Sequence, residues 1–300
     1  MIRLLLIGCG DVALRAADLL RPKVRLYGLT RRPEDIPRLR AHGIVPIVGD
    51  LDHRATLERL RAAPYAVLHF APPPSEGRDD PRTQRLIAAL ARARRIPQRF
   101  VYVSTSGVYG DCAGARIDES RRRRPQTPRA RRRVAAEDRL RRWARRYGVA
   151  LAILRVPGIY AESRLPIDRI RHATPVLVPD ADVYTNHIHA GDLARAAIAA
   201  AFHAKPNRAY NISDDSEMKM GTWMDAVADA FSLPRPPRVS WEEAERRIAP
   251  MLLSFMSESR RLRNDRMKLE LRVRLRYPTP QQMLDEVAPR DLKKQLPLSL

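Results

Sequence analysis

Short apolar runs alternate along the first two thirds of the chain with stretches in which apolar residues recur every three or four positions. Ile2–Ile7, Val24–Leu29, Ile44–Val48, Ala66–Phe70, Phe100–Ser104 and Ala150–Arg155 read as strands, the first apolar enough to be buried on both faces. Between them Val12–Leu20, Pro33–His42, Leu51–Ala62, Pro81–Arg95 and Arg129–Tyr147 read as helices. An Ala-rich helix, His189–His203, and a short strand, Ala209–Ile212, follow a proline-broken stretch with little periodicity. This alternation predicts an α/β fold: a doubly wound parallel sheet of Rossmann type with a small mixed C-terminal lobe. The expected division is 1–213, with a lobe insertion at about 161–184, and 214–300, where prolines such as Pro234, Pro250 and Pro278 break the helices. No internal repeat is visible.

The first strand-to-helix junction carries candidate chemistry. Gly8-Cys9-Gly10-Asp11-Val12-Ala13 matches G-x-G-x-x-G/A in the required setting. Gly8 permits the tight turn, Gly10 leaves room for a pyrophosphate, and Ala13 lets helix and strand pack closely. The helix N-terminus supplies free N–H groups and partial positive charge. A dinucleotide cofactor is therefore expected on Gly8, Gly10, Asp11, Val12 and Ala13. The end of the second strand reads Thr30-Arg31-Arg32, with no carboxylate before Glu34. A hydroxyl and two guanidiniums suit a ribose 2′-phosphate, so NADP is expected in preference to NAD.

The charge raises a competing idea. Lys and Arg number 56 against 34 Asp and Glu, which gives +22. Such a balance is the usual footprint of nucleic-acid binding. Thirteen Arg lie between Arg121 and Arg146. In that segment Ala136, Leu140, Trp143, Ala144 and Tyr147 form one apolar stripe, which predicts that the arginines between them make a solvated face. Aromatics are only 6%, so the stacking residues of single-strand binders are missing. Lys supplies only six of the 56 cations, a bias that a GC-rich coding sequence yields together with abundant Ala and Pro. Salt-sensitive polyanion binding follows from the charge; specific nucleic-acid binding is a minor alternative. Two cysteines, Cys9 and Cys112, give no disulfide framework or metal motif. No apolar run is long enough for a membrane span or a signal-peptide core, so a cytoplasmic protein, monomer or homodimer, is expected.

Six segments in order resemble the short-chain dehydrogenase/reductase superfamily, in its extended and atypical branch called NAD(P)-dependent epimerase/dehydratase. They are Gly49-Asp50-Leu51, His69-Phe70-Ala71-Pro72-Pro73, Ser104-Thr105-Ser106-Gly107-Val108-Tyr109-Gly110-Asp111, Arg155-Val156-Pro157-Gly158-Ile159-Tyr160, Asn186-His187-Ile188-His189 with Asp192, and Tyr210-Asn211-Ile212-Ser213. The resemblance implies adenine contact at Asp50 and Leu51, ribose contact at Ala71 and Pro72, and nicotinamide contact at Pro157. It implies hydride transfer to or from a small carbonyl or alcohol, either as an oxidoreductase or within an epimerisation.

The family's catalysis rests on Ser/Thr, Tyr and Lys, with the last two spaced Y-x-x-x-K. Thr105 stands at the Ser/Thr position. The resemblance places Arg129 and Arg133 at the Tyr and Lys positions, as in members that lack the pair. Arg133 is expected to hold ribose hydroxyls. Arg129 cannot give up a proton near neutrality and suits a substrate carboxylate or phosphate instead. Tyr109 is the expected proton donor; Tyr160, His187 and His189 are further groups on segments that approach the cleft. Asp192 is expected as partner to the two histidines, and Asp118 and Glu119 as partners of the arginine run. The lost Tyr also leaves a non-catalytic NADP-binding sensor or scaffold as an alternative.

Overall fold

Seven parallel strands form the central sheet in the computed structural model: β1 (Arg3–Ile7), β2 (Arg25–Thr30), β3 (Ile44–Val48), β4 (Ala66–His69), β5 (Arg99–Thr105), β6 (Ala150–Val156) and β7 (Arg208–Asn211). Their order across the sheet is β7-β6-β5-β4-β1-β2-β3. The order reverses between β1 and β4, whose register runs from Leu4 opposite Ala66 to Ile7 opposite His69. In such sheets the crevice beyond the carboxyl ends of those two strands is where ligands bind. The structure describes residues 1–61, 64–93 and 95–288. Ala62 at the end of one expected helix, Arg94 within another, and the last part of the expected lobe, 289–300, lie outside the described residues.

Alternation along each strand builds two cores. Leu4 and Leu6 face one side and pack with helices α1 (Asp11–Leu20) and, later in the chain, Ala190–His203. Leu5 and Ile7 face the other, against α2 (Pro81–Ala91) and α3 (Pro128–Tyr147). The expected helix Pro33–His42 is a 3-10 turn at Pro33–Asp35 followed by one short helix, Ile36–Ala41. The expected helix Leu51–Ala62 is instead a 3-10 segment over Arg54–Arg61.

Helix α3 begins where the Thr127 hydroxyl accepts from the Ala130 N–H at 3.2 Å. It stops at Gly148, whose φ of +66° is the left-handed cap that glycine takes readily. Ala136, Leu140, Trp143 and Ala144 are buried, and Tyr147 is exposed at the end of the stripe. The arginines between them are not uniformly solvated as expected. Arg132 donates to the Gly77 carbonyl at 2.7 Å, Arg139 pairs with Asp79 at 2.8 Å, and Arg141 donates to the Asn207 carbonyl at 2.8 Å. Arg121, Arg122, Arg124, Arg131, Arg142, Arg145 and Arg146 are exposed.

The lobe has its own apolar cluster, in which Tyr160, Ile170 and Val176 meet Trp223, Val227 and Met283. Its chain also returns to the sheet, where Met267, Leu271 and Val273 join the core of β1. Three very short parallel pairs tie it down: Gly158–Tyr160 with His187–His189, Val176–Leu177 with Arg238–Val239, and Arg116–Ile117 with Arg261–Leu262. Asp192 takes part in this attachment: its carboxylate accepts from the N–H groups of Arg276 at 2.8 Å and Tyr277 at 3.1 Å and pairs with Arg195, while its charge also acts on His189. No helix among the described residues is long and apolar enough to cross a membrane.

Candidate active site

The turn after β1 is shaped by backbone. Gly8 has φ +87°, and a Cβ there would lie 2.6 Å from the Ala71 nitrogen. Ala71 is held close because its N–H donates to the Ile7 carbonyl at 2.9 Å. Gly10 differs: a Cβ there would meet nothing within 4 Å, so its α-carbon faces open crevice. Ala13 is buried in the core under α1. Gly8, Gly10, Asp11, Val12, Ala13, Asp50, Leu51, Ala71 and Pro72 all line one crevice. This is a cradle that a dinucleotide fits, with main-chain approach at Gly10 and the N-terminus of α1 beside it. Asp11 is tied to Arg15 at 2.8 Å, which neutralises a carboxylate at a helix end that would otherwise repel phosphate.

Thr30, Arg31 and Arg32 line the same crevice at the end of β2. Two residues absent from the motif join them. Asp35 pairs with Arg32 at 3.1 Å and Arg38 at 3.0 Å, and the Thr30 hydroxyl lies 3.2 Å from its Oδ2. The Arg32 guanidinium, with Arg38, holds the Asp35 carboxyl below its usual range. Asp35 and Arg38 sit in a 3-10 turn and a short helix, one turn apart; the spacing was visible in the sequence, the turn that folds them back toward β2 was not.

A second cavity of about 350 Å³ lies between the sheet and the lobe. Thr105, Arg129, Pro157, Tyr160 and His187 are in its wall. Ile159 and Arg164 border both cavities, so the crevice and this cavity adjoin. Thr105 accepts from the Gly107 N–H at 3.3 Å, which leaves its hydroxyl proton free to donate. His187 sits beside Gly158, where a Cβ would be 3.4 Å from its ring. Burial pushes its imidazole down to about 4, and its Nδ1 has no hydrogen-bond partner. Arg129 lies over the Phe255 ring at 4.1 Å. Arg169, Glu258 and Arg260 come from the lobe and carry no local sequence signal; only the fold brings them here.

Two expected groups are not brought in. Tyr109 lines neither cavity. It is 1% exposed, its hydroxyl donates to Asn211 Oδ1 at 2.6 Å, and burial pushes its phenol up to about 12. Arg133 folds back into the sheet, donating to the Val103 carbonyl at 2.7 Å and the Tyr102 hydroxyl at 3.1 Å. Pro157, expected on the cofactor, stands in the second cavity's wall at the junction. Beneath that junction Arg155 and Glu137 form a buried pair at 2.9 Å, and Ser104 donates to the same carboxylate at 2.7 Å. Glu119 serves the backbone, accepting from the Asn211 N–H at 2.8 Å, and Asp118 accepts from the Ser120 N–H at 2.8 Å. From the arginine run the Arg121 N–H donates to the Asp118 carbonyl at 3.2 Å, and Arg266, outside the run, approaches Glu119 at 3.5 Å. His189 caps the helix that follows it through the Gly191 N–H at 3.2 Å.

Comparison with known proteins agrees with the fold. A human dTDP-D-glucose 4,6-dehydratase is 28% identical over 146 residues, covering 46% of this chain and 41% of that protein. The chain thus matches less than half the length of that relative. A Silicibacter pomeroyi protein of unknown function is 29% identical, with a TM-score of 0.77 over 96% of this chain and 98% of its own. A Bacillus anthracis dTDP-glucose 4,6-dehydratase solved in complex with NAD shares the fold, with a TM-score of 0.77 at 16% identity over 98% of each chain. The model of the NAD dependent epimerase/dehydratase family matches residues 15–213, about two thirds of the sequence, and the chain belongs to that family.

Proposed function

We propose that this chain is an NADP-dependent oxidoreductase or epimerase of the atypical short-chain dehydrogenase/reductase kind, acting on a small carbonyl or alcohol. The observation that supports it is that the crevice, shaped for a dinucleotide, adjoins at Ile159 and Arg164 a cavity that has Thr105 in its wall. Gly8 to Ala13 would hold the pyrophosphate, Asp50 and Leu51 the adenine, and Ala71 and Pro72 a ribose. At the end of β2, Arg31, Arg32 and Arg38 outnumber Asp35, a net positive wall that favours a 2′-phosphate over a bare ribose. When bound, the nicotinamide supplies or takes the hydride at its C4. The Thr105 hydroxyl positions the substrate oxygen. His187 would take over from Tyr109 only as a hydrogen-bond donor: its neutral imidazole offers an N–H to that oxygen, and the proton of the reaction is exchanged with solvent. Arg129 and Arg133 stand where the family's Tyr and Lys are expected. Arg129 adds positive charge to the cavity, and Arg133 stiffens the end of β5 from behind.

The position of Tyr109 and Arg133 outside both cavities favours a second reading, a non-catalytic NADP-binding sensor. One experiment separates the two: protein, NADPH and a panel of aldehydes and ketones, followed by absorbance of the reduced nicotinamide. Oxidation that Thr105→Val slows supports the enzyme. Saturable NADPH binding with no oxidation across the panel supports the sensor.

A further inference from the structure

Buried polar groups in folded proteins nearly always have partners, so those that lack them describe what a ligand must bring. Four side chains in the wall of the lobe cavity carry such atoms: Tyr160 at its hydroxyl, Arg169 at Nε and Nη2, His187 at Nδ1 and Glu258 at Oε1. The Arg169 guanidinium makes no hydrogen bond or ion pair among the described residues, and its Nε and Nη2 are shielded from solvent. Burial lowers its pKa with no carboxylate near enough to offset the effect. Arg129 has its face on Phe255 and no ion-pair partner. Glu258, 8% exposed, pairs with Arg260 through Oε2, while its Oε1 is buried and unpartnered. Elsewhere in this arginine-rich chain the half-buried guanidiniums are engaged, as Arg82 is with Asp52 and Arg123 with Asp138. An unpaired guanidinium at Arg169, a second at Arg129 held only over an aromatic ring, and one open carboxylate oxygen in a single cavity therefore form a pattern.

We propose that this cavity binds a small polyhydroxylated anion, its carboxylate or phosphate held by Arg169 with Arg129 adding charge, and one of its hydroxyls donated to Glu258 Oε1. The chemistry follows from each group. A guanidinium binds carboxylate and phosphate with charge-assisted hydrogen bonds. A carboxylate oxygen accepts only, so the ligand must present a donor to it. The volume of about 350 Å³ is at the low end of small-molecule sites, which suits an acid the size of a monosaccharide. This names a substrate class for the site proposed above and rests on that reading.

The test is a titration followed by tryptophan fluorescence, since Trp223 is in the cavity wall, at physiological salt with NADPH bound. The probes are glucuronate, glucose 6-phosphate, neutral glucose and UDP-glucose. The expected result is saturable binding of glucuronate or glucose 6-phosphate, with glucose at least about tenfold weaker. Comparing the two acids identifies the anion. Arg169→Met is expected to weaken the bound acid by about tenfold or more, and Arg169→Lys to restore part of the loss, with circular dichroism unchanged in both. Glucose binding as tightly as the acids would overturn the inference. So would indifference to Arg169→Met, binding of UDP-glucose alone, or no binding of either acid. NADPH affinity is measured in the same samples. If NADPH binds while the acids do not, this inference falls and the dinucleotide reading stands; loss of NADPH binding strikes that reading instead.

Discussion

The two cavities are built by different means. The crevice at the ends of β1 and β4 has main chain and small residues, Gly8, Gly10, Ala13, Ala71 and Pro72, around its turn, and Arg31, Arg32 and Arg38 on its β2 side. The lobe cavity is walled by long side chains from distant segments, with Thr105, Arg129, Arg169, His187 and Glu258 as its polar members. A main-chain site depends on one turn conformation and tolerates little at a few positions. A side-chain site depends on the packing of several segments and loses function in increments.

The largest effect should come from the crevice. Gly8→Val places a side chain at φ +87° and against Ala71, so both folding and NADPH binding should fail. Gly10→Val is the sharper probe, because its Cβ meets nothing in the folded chain. It should leave the free energy of unfolding in urea within about 1 kcal/mol of wild type while NADPH affinity falls roughly 100-fold. Equal NADPH affinity in Gly10→Val would remove the basis for a pyrophosphate at that turn.

Next comes the support shared by both cavities. Glu137 is fully buried and holds Arg155 and Ser104. Glu137→Ala leaves a buried guanidinium without its carboxylate and should cost about 3–5 kcal/mol in urea unfolding. A cost below about 1 kcal/mol would mean that water or Tyr109 takes over the pairing.

Within the lobe cavity the effects are smaller. Thr105→Val removes one hydrogen-bonding group and should slow turnover roughly tenfold with NADPH affinity unchanged. Asp214, beside the cavity's Tyr160, gives a pH signature. Its Oδ1 accepts from Ser216, its Oδ2 has no partner, and burial pushes the carboxyl from 3.8 up to about 8. The folded state therefore holds a proton that the unfolded state releases between those values, so stability falls as pH rises from 4 to 8. Asp214→Asn carries no such proton, and its melting temperature relative to wild type should climb by a few degrees across that window. A constant difference would show that Asp214 is ionised in the folded protein.

The same contrast explains what the sequence revealed. The crevice was legible because G-x-G-x-x-A is contiguous and its glycines have one physical purpose. The strand alternation was legible because the inner strands are buried on both faces, while the edge strand β3 leaves Val45 exposed. The arginines of α3 were half legible: the stripe of Ala136, Leu140 and Trp143 marked the buried face, but period alone could not show that Arg132 and Arg139 reach across to 77–80. Tyr109 was misplaced because its motif fixes where the backbone runs and not which way the ring turns; here Asn211 and Arg155 take its hydroxyl. Arg169 and Glu258 were invisible, since the prolines and two-residue strands around them leave no periodicity to read.

Parallel titrations of NADPH and NADH test the central claim most directly. They should be run at physiological salt, which screens the adventitious polyanion binding that a net charge of +22 invites, on wild type and on Arg31→Ala/Arg32→Ala. The account predicts saturable binding of one NADPH per chain, at least about tenfold tighter than NADH, with the preference erased in the double variant. Tighter binding of NADH, or no saturable binding of either dinucleotide, would contradict it.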